Sequence, residues 1–164
     1  MTVEAKELHD DPEVWAEWWM VDANSAHSAL CSAVSTQLVP QAWISDLMSR
    51  ADVTVRRAAA DALLEVGCAC QFYNVAIKSG LRDVDPIVRF NTCATVQSFD
   101  NISPFFADIV ALLGDTDRRV RKCSVSALSR SRFDIVTCLA NSPINGDASV
   151  AIAMREDPPN VKWL

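Results

Sequence analysis

Side chains able to act as acids, bases or nucleophiles are few in this chain. His9 and His27 are its two histidines, and so its only ordinary general bases near neutral pH. No glycine-rich phosphate loop, metal-protease helix or nucleophile elbow stands beside them. Carboxylates are more frequent, but they fall in turns between helical stretches, where capping of helix N-termini accounts for them. Of the six cysteines, Cys31, Cys93 and Cys123 occupy small-residue positions of helical patterns, where a thiol behaves as a small hydrophobe. Cys68 and Cys70 flank one alanine and have no second Cys or His pair nearby, whereas a structural zinc site needs four ligands at workable spacing. With the histidines remote from each other, no metal site is expected. The start, Met1 to Lys6, lacks the basic and apolar stretches of a secretory signal, so the cysteines are expected reduced and the chain cytoplasmic. No catalytic residue and no cofactor are assigned, and the chain is not expected to be an enzyme.

Binding chemistry is better represented. Arg118, Arg119, Arg121 and Lys122, with Arg130 and Arg132 further on, form the densest basic cluster. Such a stripe would suit phosphates. Asp115 and Asp117 offset it, however, no aromatic stacking platform interleaves with it, and the net charge is −6. Nucleic acid is therefore not the expected partner. Trp15, Trp18 and Trp19 share one helical face; they read as the apolar side of a helix capping a stack, or else as an aromatic docking patch flanked by Glu13, Glu17 and Asp22. Acidity is local: residues 1–50 hold eight acids against two bases, whereas 51–100 and 101–164 are nearly balanced. A basic protein partner fits that charge.

The elements that must position these groups repeat. Asp52-Val53-Thr54-Val55-Arg56, Asp85-Pro86-Ile87-Val88-Arg89 and Asp117-Arg118-Arg119-Val120-Arg121 are near copies, their arginines 33 and then 32 residues apart. After each arginine, small or apolar residues recur at the third, fourth, sixth and seventh positions: Ala59, Ala60, Ala62 and Leu63; Thr92, Cys93, Thr95 and Val96; Ser124, Val125, Ala127 and Leu128. At about 100° per residue these share a helical face with the preceding valine. A weaker copy puts His27 in the arginine slot, followed by Leu30, Cys31, Ala33 and Val34, and another begins at Asp147. A period of this size marks stacked helical hairpins, each burying its apolar face only against its neighbours.

The expected fold is all-α, an α-solenoid of about five hairpins forming one domain over residues 1–164. Helices are predicted near 11–22 and 24–38, 41–50 and 53–67, 69–80 and 86–99, 103–113 and 117–130, and 133–141 and 147–156. Residues 11–38 form a degenerate capping hairpin, the clear repeats span about 41–156, and 158–164 form an extended tail. Gly67, Gly80, Gly114 and Gly146 are read as helix stops. The longest apolar runs, such as Ile109 to Leu113, fall far short of a membrane span, and no membrane partner is expected.

The Asp-x-x-Val-Arg element followed by small residues and leucine resembles HEAT repeats, particularly the short HEAT-like units of phycobilin lyases. The resemblance implies that Asp52, Asp85 and Asp117 with Arg56, Arg89 and Arg121 form a structural ladder between repeats, and that the second helix of each hairpin lines a concave face. It implies an interaction scaffold, not a reaction. Helical geometry then places Ser28, Arg57, Asp61, Phe90, Gln97 and Lys122, together with the basic Arg118 and Arg119, on the partner-binding side. Phe90 is read either as an exposed aromatic anchor or as packed between helices, and Arg57 as a polar anchor. The functional expectation is a non-enzymatic protein-binding module, in one concrete form a stand-alone inhibitor such as an immunity protein against a toxin or effector. The alternatives are a tetrapyrrole lyase or chaperone-type factor and a nucleic-acid-binding HEAT-like protein.

Overall fold

The computed structural model describes residues 12–37 and 39–130. Eight α-helices follow one another: α1 Pro12–Val21, α2 Ala23–Ser35, α3 Gln41–Leu47, α4 Val53–Val66, α5 Asn74–Leu81, α6 Pro86–Val96, α7 Phe106–Ala111 and α8 Arg118–Arg130. The described residues contain no strand, so the chain is all-α as its periodicity requires. His9, Arg132, Gly146, the expected fifth hairpin and the expected tail lie outside the described residues.

Consecutive helices pack as antiparallel pairs, α1 with α2 and so on to α7 with α8. The even-numbered helices also pack in series, α2 on α4, α4 on α6 and α6 on α8, and the odd-numbered ones do the same. Two rows of helices result, with the core between them. The residues of the repeat pattern supply that core: Val55, Val88 and Val120 are buried, as are all twelve small or apolar positions that follow the three arginines. Their small volume lets α4, α6 and α8 approach closely. In the weaker first copy Leu30, Ala33 and Val34 are buried too, while Cys31 is half-buried.

Helix starts follow the acids. The side chains of Asp22, Asp52 and Asp85 accept backbone amides from Ser25, Thr54, and Ile87 with Val88, and Asp117 accepts the amide of Arg119. Pro86 occupies the first turn of α6, where its missing amide costs nothing. At the other end of α4, Gly67 takes a φ of 63°, and its amide closes on the Leu63 carbonyl.

Three expectations about elements need correction. The helix predicted over 69–80 is a 3₁₀ turn, Gly67–Cys70, followed by α5. Two anchors hold the chain there: the Cys70 thiol donates to the Leu63 and Gly67 carbonyls, and the buried Tyr73 hydroxyl donates to Val39 O at 3.1 Å. The helix predicted over 103–113 is instead α7 between 3₁₀ turns at Ser103–Phe105 and Leu112–Gly114. Gly80 stands one residue before the end of α5 at Leu81, inside the helix rather than past it. It lies buried within α5, and a Cβ there would sit 2.3 Å from Thr92 Oγ1 and 2.5 Å from Met48 Cε. Glycine is needed because α3, α5 and α6 converge at that point.

Candidate functional site

The ladder arginines are built into the turns. Arg56 donates to Asp83 at 2.8 and 3.2 Å, and also to the carbonyls of Arg50 and Ala51. Arg89 repeats this one unit on, donating to Asp115 at 2.7 and 2.8 Å and to the carbonyls of Asp83 and Val84. Arg121 donates to the carbonyls of Asp115 and Thr116. Each arginine thus ties its own turn and, at Arg56 and Arg89, reaches the turn of the next hairpin. The acids it reaches are Asp83 and Asp115, not the capping Asp85 and Asp117. They stand two residues before the caps. Asp83 and Asp115 in addition accept the amides of Asp85 and Asp117, which fixes both turns. The covered Asp115 carboxylate beside Arg89 holds that guanidinium above its ordinary pKa.

The residues expected on the open side of the second helices fall into two groups. Ser28, Asp61, Lys122, Arg118 and Arg119 are exposed, as is Ser126 nearby. Arg57 is instead engaged, donating to Asp85 at 2.6 and 3.1 Å, so it ties α4 to the start of α6. That ion pair is the leading cause holding Asp85 below the usual carboxylate range. Phe90 is half-buried and packs against the core. Of its two expected placements, the packed one is observed. Gln97 is likewise occupied, donating to Cys123 O at 3.1 Å and to its sulfur at 2.9 Å. Asn91 donates to Asp61 at 3.3 Å. Polar side chains on this row therefore bridge from helix to helix.

The basic cluster is similarly committed. Arg119 donates back to Asp117, whose pKa is lowered to about 2 chiefly by that bond, and Arg121 is spent on turn carbonyls. Arg118 and Lys122 stand exposed beside them.

In α1, Trp15 is fully buried. Its indole N–H donates to Ala26 O at 2.9 Å, its ring stacks on Trp19 at 5.4 Å and meets Trp43 edge-on at 6.3 Å. Trp18 and Trp19 are half-buried. Trp15 is thus removed from any docking patch and closes the first hairpin instead.

One cluster was not foreseen. The ring nitrogen Nε2 of His27 lies 2.8 Å from Glu65 Oε2, 3.5 Å from Cys31 Sγ and 3.9 Å from Asp61 Oδ2. Burial, then the Glu65 carboxylate, pushes the Cys31 thiol up to about 12, and the bond to His27 lowers Glu65. His27 and Glu65 are 38 residues apart, so only the juxtaposition of neighbouring repeats brings them together. No sequence signal pairs them, since the repeat aligns positions without saying which of them touch. Comparison with protein families, curated proteins and solved structures finds no match to this chain, and its HEAT resemblance rests on the repeat motif itself.

Proposed function

We propose that this chain is a short HEAT-like α-solenoid that serves as a non-enzymatic, cytoplasmic protein-binding scaffold. The observation that carries the reading is the series α2, α4, α6, α8, joined by the Arg56–Asp83 and Arg89–Asp115 pairs. A row of parallel helices held this way presents a preformed surface, so a partner binds with little ordering cost. The outward side chains are chemically mixed, with Ser28, Asp61, Lys122 and Ser126 exposed, which suits recognition of a protein surface. The acidic excess over residues 1–50 selects for a cationic partner, blocked or positioned by the scaffold, as an inhibitor would do.

Affinity capture of the tagged chain from its native lysate, with mass spectrometry of what is retained, tests this. The expected result is a stoichiometric basic protein whose retention weakens with added salt. Retention of nucleic acid or of a pigment, or of nothing, would contradict it.

A further inference from the structure

Three side chains carrying metal-ligating atoms, His27, Cys31 and Glu65, meet between α2 and α4, and a fourth, Asp61, stands beside the imidazole. His27 and Cys31 are one turn apart on α2, and Asp61 and Glu65 are one turn apart on α4. The ligating atoms of His27, Cys31 and Glu65 all lie within 4.8 Å of one another, with Asp61 Oδ2 3.9 Å from the imidazole. Bond lengths of about 2.0–2.3 Å around a tetrahedral zinc ion set its ligand atoms roughly 3.4–3.6 Å apart. The observed His27–Cys31 spacing of 3.5 Å meets that value, and the 2.8 and 3.9 Å spacings to the carboxylates straddle it. Both carboxylates are on the surface, where rotation of Glu65, and of Asp61 away from its 3.3 Å bond with Asn91, makes the remaining adjustment.

The same atoms do not form a nucleophilic dyad. Cys31 and Glu65 both approach Nε2 of His27, whereas a relay needs the acid on the other ring nitrogen. The groups converge on a point, as ligands do.

The repeat accounts for histidine rather than arginine at position 27. Two residues before the capping aspartate, the second and third junctions carry Asp83 and Asp115, each meeting an arginine of the preceding unit. At the first junction that position is Arg50, which pairs with Asp46 and Glu13. An arginine at position 27 would face like charge; the chain has histidine there, turned instead to acids on α4.

We propose that His27 Nε2, Cys31 Sγ and Glu65, with Asp61 completing the tetrahedron, bind a divalent transition metal of the zinc class that clips the first hairpin to the second. One thiolate, one imidazole and two carboxylates form a donor set suited to zinc rather than to the oxygen-seeking calcium or magnesium. The metal displaces the Cys31 proton to solvent, so binding weakens in acid.

The test uses the whole chain, reduced and freed of metal with a chelator, titrated with Co²⁺ and then Zn²⁺. The expected result is one equivalent of Co²⁺ with tetrahedral absorption bands and a thiolate-to-cobalt charge-transfer band, displaced by Zn²⁺, and a melting temperature raised by Zn²⁺. Cys31→Ser abolishes the charge-transfer band while the far-ultraviolet circular dichroism stays unchanged. Glu65→Gln, an exposed position outside the core, weakens Zn²⁺ binding by more than about tenfold, a loss that even outer-shell partners produce. Absence of the charge-transfer band in the native chain, or its survival in Cys31→Ser through Cys68 or Cys70, would overturn the assignment. So would Zn²⁺ affinity unchanged in Glu65→Gln.

Discussion

Arg89 satisfies four acceptors at once: two oxygens of Asp115 and the carbonyls of Asp83 and Val84. Guanidinium and carboxylate are mostly covered, with side-chain exposures of 14% and 5%. Truncating the arginine strands a covered carboxylate, and for such a pair the loss is on the order of 3 kcal/mol. Arg89→Ala is accordingly expected to lower the urea midpoint strongly. A midpoint within error of the native chain would show that the ladder does not hold the hairpins. The capping acids make a second contribution. Asp117 is depressed from 3.8 to about 2 and Asp85 is depressed as well, so their stabilisation is complete above pH 4 and drains away as pH falls toward 2. Asp117→Asn keeps a capping side chain but cannot titrate, so its unfolding free energy should fall less steeply across that window. Equal slopes would contradict the assignment. The arginines and the caps were legible in the sequence because they repeat with a fixed period. Their true acid partners were not, since Asp83 and Asp115 are distinguished only by the turn that frees their side chains. Whether Phe90 packs or stands free was not legible, because helical geometry gives a direction but not the distance to the next helix.

At the level of elements, the period-3.6 pattern located α4, α6 and α8 closely, because a helix whose small residues all face one way has one way to pack. The odd-numbered helices were less legible. α5 and α7 are short and carry few such positions, and the start of α5 is set by tertiary bonds, Tyr73 to Val39 and Cys70 to Leu63. Gly80 belongs to this class. Read along the chain it resembles a helix terminator; in three dimensions it is the point where α5 touches α3 and α6. Thr92 cannot yield easily, being buried and donating to Val88 O at 2.8 Å. Gly80→Ala should therefore destabilise by about 1–3 kcal/mol, despite alanine's better helix propensity. Calorimetry showing an unchanged or raised melting temperature would mean that the helices part without cost.

Over the whole molecule, composition and period together specify an all-helical chain, and the described residues contain no helix long and apolar enough to cross a membrane. The His27 cluster escaped sequence reading because its members belong to different repeats, and periodicity aligns such residues without saying which of them touch. The proposed scaffold uses one row of helices as its recognition surface, so a change on that row should abolish binding without unfolding the chain. The most direct measurement is parallel affinity capture from native lysate with the native chain and with a Lys122→Glu, Ser126→Arg variant, both positions being exposed on α8. The account predicts a stoichiometric protein partner held by the native chain and lost by a variant of unchanged melting temperature. A partner retained equally by both, or no protein partner in either, would contradict it.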